Sequence, residues 1–196
     1  MKQIDFENTE AVCRVLSGML FNTPSEDFYQ QMSKEILLSW PTITTPIDEI
    51  TCSMQRSLSE QSFTTLRDDF YQLFIGPGVK KAYPWGSVYT DKDNLVNGAS
   101  CVAFEQFCMQ HGMTINLPKK QPLDHIGLIL AVLANLLKEQ KPDLALIVIK
   151  QHLMPWLPQF LNCVDTNAET DFYRGVAKLV AITIDDLILL NDMSAE

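Results

Sequence analysis

The sequence predicts an all-α fold, a globular helical bundle of roughly ten helices. Three observations carry this expectation. Apolar residues recur at helical spacing along the chain, first as Ala11, Val12, Val15, Leu16, Met19 and Leu20. Cap-like strings such as Thr23-Pro24-Ser25-Glu26 precede several of these stripes. No stretch alternates in strand fashion, and β-branched runs such as Ile147-Val148-Ile149 fall inside helical periods.

Each element has its own reason. The stripe from Ala11 to Leu20 is the first helix. Thr23-Pro24-Ser25-Glu26 reads as a capping box with Pro at the first helical position. It starts a helix showing Phe28, Met32 and Ile36, which stops before Pro41. Thr45-Pro46-Ile47-Asp48 repeats the device, and Ile47, Ile50, Met54 and Leu58 line one face. A fourth helix, about 62–75, turns Leu66, Phe70, Leu73 and Phe74 inward until Gly76-Pro77 ends it. Thr90 is placed to cap a short turn after the loop. The next helix, about 99–111, carries Cys101, Phe104, Phe107 and Cys108 and ends at Gly112. Helices then recur at about 123–139, 142–153, 156–163 and 168–191. Met193 to Glu196 reads as a frayed end. The irregular stretch 113–122, with Pro118, Lys119, Lys120 and Pro122, is the expected hinge. It divides an N-terminal lobe, about 1–112, from a C-terminal lobe, about 123–196, within one domain.

Composition narrows the function classes. The chain has 196 residues, 46% of them apolar, enough for one substantial core. Fifteen Lys and Arg stand against 24 Asp and Glu, a formal charge of −9. Nucleic-acid binding needs a basic face, so it is not expected. A cationic partner gains from such a field, although acidity also serves plain solvation. The five cysteines, at 13, 52, 101, 108 and 163, are odd in number and lack CxxC spacing. They read as reduced, mostly buried thiols of a reducing compartment. No signal-like n-region and h-region opens the chain, so residence in the cytoplasm is expected. The longest apolar run, Ile126 to Leu137, is about 12 residues, too short to span a bilayer, so no stable membrane insertion is expected.

Two clusters stand out. Residues 70–89 read FYQLFIGPGVKKAYPWGSVY, a helix running into a loop that presents Tyr83, Pro84, Trp85 and Tyr89 among Gly and Pro. A loop of that kind has a preset shape and an apolar surface to offer. Trp and Tyr give large contact area with few rotors, which suits one wall of a peptide groove. Trp85 plugging a gap between helical lobes is the structural alternative. The second cluster is Gln121-Pro122-Leu123-Asp124-His125. Pro122 suits the first helical position, which puts Asp124 in the first turn, where free N–H groups stabilise a carboxylate. An ordinary first-turn Asp and a core His125 are the structural alternative. In Gln151-His152-Leu153-Met154-Pro155-Trp156, His152 closes a helix and suits its C-terminus, or faces the same groove.

Catalytic motifs are poorly represented. GxSxG, Walker, GxGxxG and HExxH strings are missing, and Gly76-Pro77-Gly78 is too short to cradle phosphate. Cys101, Cys108 and His111 share a helix face at metal-ligand spacing, yet a Cys and Phe stripe reads more simply as core. No cofactor, metal or catalytic residue is assigned, and the chain reads as a non-enzyme.

The string Leu73-Phe74-Ile75-Gly76-Pro77, then Pro84-Trp85-Gly86-Ser87-Val88-Tyr89, then Pro122-Leu123-Asp124-His125, resembles the TorD/DmsD family. The PWGSVY form and the His152 to Trp156 run are similar to the DmsD branch, and the order and spacing fit over about 10–190. The resemblance implies a cytoplasmic chaperone. Its partner would be the twin-arginine signal peptide on the catalytic subunit of a molybdenum-cofactor oxidoreductase of the dimethyl sulfoxide reductase type. Export would be delayed until the cofactor is in place, with Tat translocase components as further partners. The resemblance raises Phe70, Leu73, Phe74, Tyr83, Pro84, Trp85, Ser87, Tyr89, Gln121, Asp124, His125 and His152 to signal-peptide-binding candidates. The family usually carries Glu where this chain has Gln121, so one negative charge is missing from the motif. Two alternatives stand beside this reading: a small-molecule or nucleotide-binding regulator, and a Cys/His enzyme.

Overall fold

A computed structural model describes residues 6–93, 95–115, 117 and 121–194. Among them are ten α-helices and no strand, so the all-α expectation holds. The helices are α1 (Phe6–Phe21), α2 (Glu26–Gln31), α3 (Asp48–Glu60), α4 (Phe63–Phe70), α5 (Ser87–Thr90), α6 (Ala99–Gln110), α7 (Ile126–Lys138), α8 (Pro142–Ile147), α9 (Leu157–Asn167) and α10 (Asp171–Ser194). Three of them run on into π-helical turns: α2 through Met32–Ile36, α4 through Tyr71–Ile75 and α8 through Val148–Leu153. The π turns explain why the sequence periods look longer than the α-helices themselves. Two of these turns carry motif residues, Leu73 with Phe74 and His152.

The helix starts show where local reading met tertiary competition. Ser25 caps α2, its hydroxyl accepting from Phe28 N at 3.2 Å, so Pro24 lies one residue outside the helix instead of at its first position. Ser62 caps α4 in the same way. α3 begins at Asp48 with no side-chain cap, contrary to the Thr45 expectation. The hydroxyls of Thr44 and Thr45 donate instead to the buried Asp186 of α10. Thr90 does not cap a helix start either. It closes α5, and its hydroxyl donates back to Gly86 O.

Packing is built from two long-range pairs. α1 lies along α7, and α10 lies along α3. At the first contact Gly127 is needed for close approach: a Cβ there would sit 2.7 Å from Phe21 Cβ and 3.1 Å from Ser17 O. Ser17 Oγ donates to Gly127 O at 2.6 Å across this contact. α7 is apolar on nearly every face because it is buried on nearly every face. The start of α10 is capped from α4, where the buried Asp69 accepts from Glu169 N, Thr170 N and Thr170 Oγ1 at 3.0, 2.9 and 2.6 Å.

One apolar cluster runs from Val12 to Leu187 and includes residues of both halves. In it Phe70, Phe74, Phe160, Phe172 and Tyr173 meet edge-on or tilted. Of the connection expected as a hinge, residues 116 and 118–120, with Pro118, Lys119 and Lys120, lie outside the described residues. α10 continues to Ser194, and positions 195–196 of the expected frayed end also lie outside them. Among the described residues no helix is long and apolar enough to cross a membrane.

Candidate functional site

The two clusters meet. Residues 84–87 lie against 124–126, joined by an isolated antiparallel bridge between Trp85 and His125. Gly86 N donates to Asp124 O at 3.1 Å, and Ile126 N donates to Pro84 O at 2.8 Å. Between these backbone bonds Ser87 N donates to Asp124 Oδ2 at 2.6 Å. Asp124 therefore serves the first turn of α5, not of its own helix. The expectation that Pro122 opens the helix is corrected here. α7 begins at Ile126, and His125 is its cap, with Nδ1 accepting from Gly127 N at 3.1 Å.

His125 is buried with its ring edge-on to Phe21 and Trp85, at 5.2 and 5.6 Å. Burial pushes its pKa down to about 3, so the imidazole is neutral at ordinary pH. With Nδ1 accepting, the proton sits on Nε2. Asp124 is also buried, 2% exposed. Among the described residues its second oxygen, Oδ1, has no N–H or O–H partner, and Ser87 Oγ and Trp85 Nε1 have no hydrogen-bond partner. Three orphaned polar atoms within this one junction are unusual, because such groups are costly unless something completes them. Cys101 of α6 stands beside this carboxylate. Burial pushes its thiol up to about 11; backbone at Asp124 and Leu123 offsets part of the shift, and the Asp124 charge adds to it.

The third motif arrives from α8 and α9. Trp156 is buried, and its Nε1 donates to His152 O at 2.7 Å. It lies so close under Gly86 that a Cβ there would come within 2.5 Å of Trp156 Nε1. Tyr89 stacks on Trp156 at 6.0 Å and donates its hydroxyl to Tyr83 O at 2.8 Å. Burial pushes the Tyr89 phenol up, so it remains a donor.

The sequence-chosen residues thus divide by place. Pro84, Trp85, Ser87, Asp124 and His125 form the junction, with Tyr83 and Tyr89 flanking it. Gln121 is half-buried a few residues before it. Phe70, Leu73 and Phe74 are core, none more than 2% exposed, and are not part of the strap that residues 84–87 form over Asp124. His152 is half-buried against Phe104 and Phe107 of α6, at 5.3 and 5.0 Å, where burial lowers its pKa.

Sequence reasoning missed the exposed residues of the π turn and loop that precede the strap. Tyr71 and Ile75 are 38% and 39% exposed, and Val79 is 88% exposed. Lys80 Nζ lies over the rings of Tyr83 and Trp85. Val79 between Gly78 and Lys80 was the available signal, since a β-branched apolar residue in a Gly-Lys loop has no local reason to be there. Among the five cysteines Cys13, Cys101 and Cys108 are buried, Cys163 half-buried and Cys52 exposed. Among the described residues no three His, Cys, Asp or Glu side chains gather as metal ligands. Clefts elsewhere, such as that between α3 and α10 lined by Glu49, Asp171, Arg174 and Lys178, do not involve the motif residues.

Comparison with known proteins bears on this arrangement. A sequence profile of the nitrate reductase delta subunit family matches residues 41–162. A Haemophilus influenzae protein named as a probable DmsD Tat proofreading chaperone is 32% identical over 69% of this chain, a match spanning 64% of that relative's length. The DmsD Tat proofreading chaperone of Salmonella typhi is 27% identical over 87% of this chain and 84% of its own. The TorD chaperone of Vibrio vulnificus is 29% identical over 59% of each. A crystal structure described as a redox enzyme maturation protein of Archaeoglobus fulgidus superposes with a TM-score of 0.60 at 18% identity. It covers 88% of this chain and 93% of its own, a likeness of fold.

Proposed function

The chain belongs to the nitrate reductase delta subunit family, in its TorD/DmsD group and DmsD-like, and from that premise we propose that it is a redox-enzyme maturation chaperone. Its ligand is the twin-arginine signal peptide of an oxidoreductase precursor of the molybdenum-cofactor, dimethyl sulfoxide reductase type. It holds that peptide in the cytoplasm until the cofactor is inserted, before release to the Tat translocase. No bond is made or broken in this activity.

The observation that carries the proposal is the junction itself. An aromatic strap covers a buried carboxylate, and one oxygen of that carboxylate has no N–H or O–H partner among the described residues. A guanidinium is the complement of such an oxygen, because it brings both charge and a fork of N–H donors. Asp124 Oδ1 is closed off while the strap is down, so binding requires Trp85 and Ser87 to lift from it. Among the described residues the strap is held there by two backbone bonds, the Ser87 N–H, the His125 edge contact and the packing of Gly86 and Tyr89 on Trp156. The exposed Tyr71, Ile75 and Val79 then offer an apolar bank for the apolar stretch of the signal peptide. The net charge of −9 draws the cationic end in.

Calorimetric titration of the parent protein and Asp124→Asn with signal peptides tests this reading. Asn keeps an acceptor for Ser87 N and removes the charge. The variant should bind a twin-arginine signal peptide about tenfold more weakly, with a flatter dependence on salt. A peptide with both arginines changed to glutamine should bind parent and variant alike. Equal affinity of the two proteins for the twin-arginine peptide, with the same salt slope, would sink the role of Asp124. Failure of every twin-arginine peptide in a panel to bind the parent would sink the chaperone reading.

A further inference from the structure

The strap carries a cation of its own. Lys80 Nζ lies 5.4 Å from the centroid of the Tyr83 ring and 5.9 Å from that of Trp85. Lys81, the next residue, behaves as a surface lysine usually does and pairs with Glu169 at 3.3 Å. Among the described residues no carboxylate pairs with Lys80, although the chain holds 24 Asp and Glu. A lysine in so acidic a protein that rests on two rings instead of a carboxylate has been placed by its loop.

The loop geometry supports that view. Lys81 N and Ala82 N donate to Gln72 O and Leu73 O at 3.1 and 2.9 Å, which ties the return limb to the π turn of α4. Lys80 sits just above this tie, next to the 88% exposed Val79. Its side chain can leave the rings without disturbing either backbone bond. Tyr83 and Trp85 are half-buried, so a cation over them is partly withdrawn from water, where the attraction of a ring face for a cation is greatest.

We propose that Tyr83 and Trp85 form a cation-binding pair for one arginine of the incoming peptide, and that Lys80 is its resident placeholder, which any guest cation must displace. The identity of the guest rests on the peptide-binding reading above. The physics is an exchange. Replacing the Lys80 ammonium by a lysine of the peptide swaps like for like, and the guest still has to be ordered and desolvated. A guanidinium is planar, more weakly hydrated and stacks on aromatic faces, so the same exchange is favourable for arginine. The pair therefore prefers arginine to lysine, and its resident ammonium handicaps both guests alike. The apparent affinity for any guest is lowered by the fraction of time the pair is covered. Lys80 thus sets how tightly a guest must bind, without touching the bound peptide.

The test uses the full chain, its Lys80→Met and Lys80→Arg variants, and two tetrapeptide amides without apolar residues. One tetrapeptide has two adjacent arginines, and the other has lysines in their place. Binding is read from the NMR shift of the Trp85 indole N–H. Methionine keeps the stem and removes the charge. Lys80→Met should bind both tetrapeptides about three- to tenfold more tightly than the parent, by a common factor, with the arginine-over-lysine preference unchanged. Lys80→Arg should fill the pair more firmly and weaken both. Unchanged dissociation constants in Lys80→Met would overturn the proposal, as would no Trp85 shift with the arginine tetrapeptide in that variant. A twin-arginine signal peptide titrated alongside separates the two readings. If it binds parent and Lys80→Met equally and the tetrapeptide affinities are unmoved, the placeholder fails and the chaperone reading stands. If it binds neither protein while the arginine tetrapeptide still shifts Trp85 more strongly in Lys80→Met, the placeholder stands and the chaperone reading fails.

Discussion

Replacing His125 by Asn isolates a proton-linked share of the stability of this junction. Asn is a favoured helix cap, and its side-chain oxygen can replace Nδ1 as acceptor for Gly127 N. The imidazole and its titration are lost. In the parent protein burial lowers the His125 pKa from 6.5 to about 3. The unfolded chain takes up a proton near the higher value, and the folded chain waits until the lower one. Between the two, the unfolded state binds more protons, so stability falls as pH falls. The contribution is fully present above the unfolded pKa and is lost progressively down to the folded pKa. For these two values the loss is on the order of 1 kcal/mol at pH 5.5 and on the order of 3 kcal/mol at pH 4.5, relative to neutral pH. The variant also forfeits contacts with Phe21 and Trp85, a cost of about 1–2 kcal/mol that does not depend on pH. Urea unfolding of both proteins from neutral to acid pH gives the difference directly. His152, whose pKa is also lowered by burial, and the carboxylates contribute to both curves and cancel. The parent's advantage should therefore shrink, and by about pH 4.5 vanish or reverse. Parallel curves across the range would refute the claim that the fold keeps His125 neutral.

Two further outcomes follow from the packing. Gly127→Ala places a Cβ against Phe21 Cβ and Ser17 O, neither the free end of a side chain, so α1 must move off α7. It should cost about 1–3 kcal/mol in thermal or urea unfolding. Gly18→Ala on α1, whose Cβ would meet nothing closer than Asn22 Nδ2 at 3.8 Å, should be neutral or stabilising. Asp69→Asn leaves one acceptor where Glu169 N, Thr170 N and Thr170 Oγ1 now share two. Stability should drop by about 1–3 kcal/mol, and amide exchange at Glu169 and Thr170 should accelerate ahead of the rest of α10. Unchanged exchange there would show that the α10 start does not depend on α4.

The sequence by itself determined the helices, their apolar faces and the motif order. Those features are local: a stripe at helical spacing needs burial on one side, whichever partner supplies it. The pairings were decided only by the tertiary structure. Pro122 has the right shape for a helix start, yet α7 opens at Ile126 because residues 84–87 take the backbone groups of 124–126. Thr45 looks like a cap, but a buried carboxylate 141 residues away is the better acceptor. Phe70, Leu73 and Phe74 read equally well as groove or core, since an apolar side chain carries no mark of which surface it meets. Their burial followed from Tyr173 and Phe160, helices away. Asp124 was legible as a candidate because an acid among apolar residues is conspicuous. Its partner, Ser87 N, was not, because a backbone N–H has no letter in the sequence. Lys80 was invisible for the same physical reason: one lysine of a Lys-Lys pair reads like the other until the fold brings two rings beneath it.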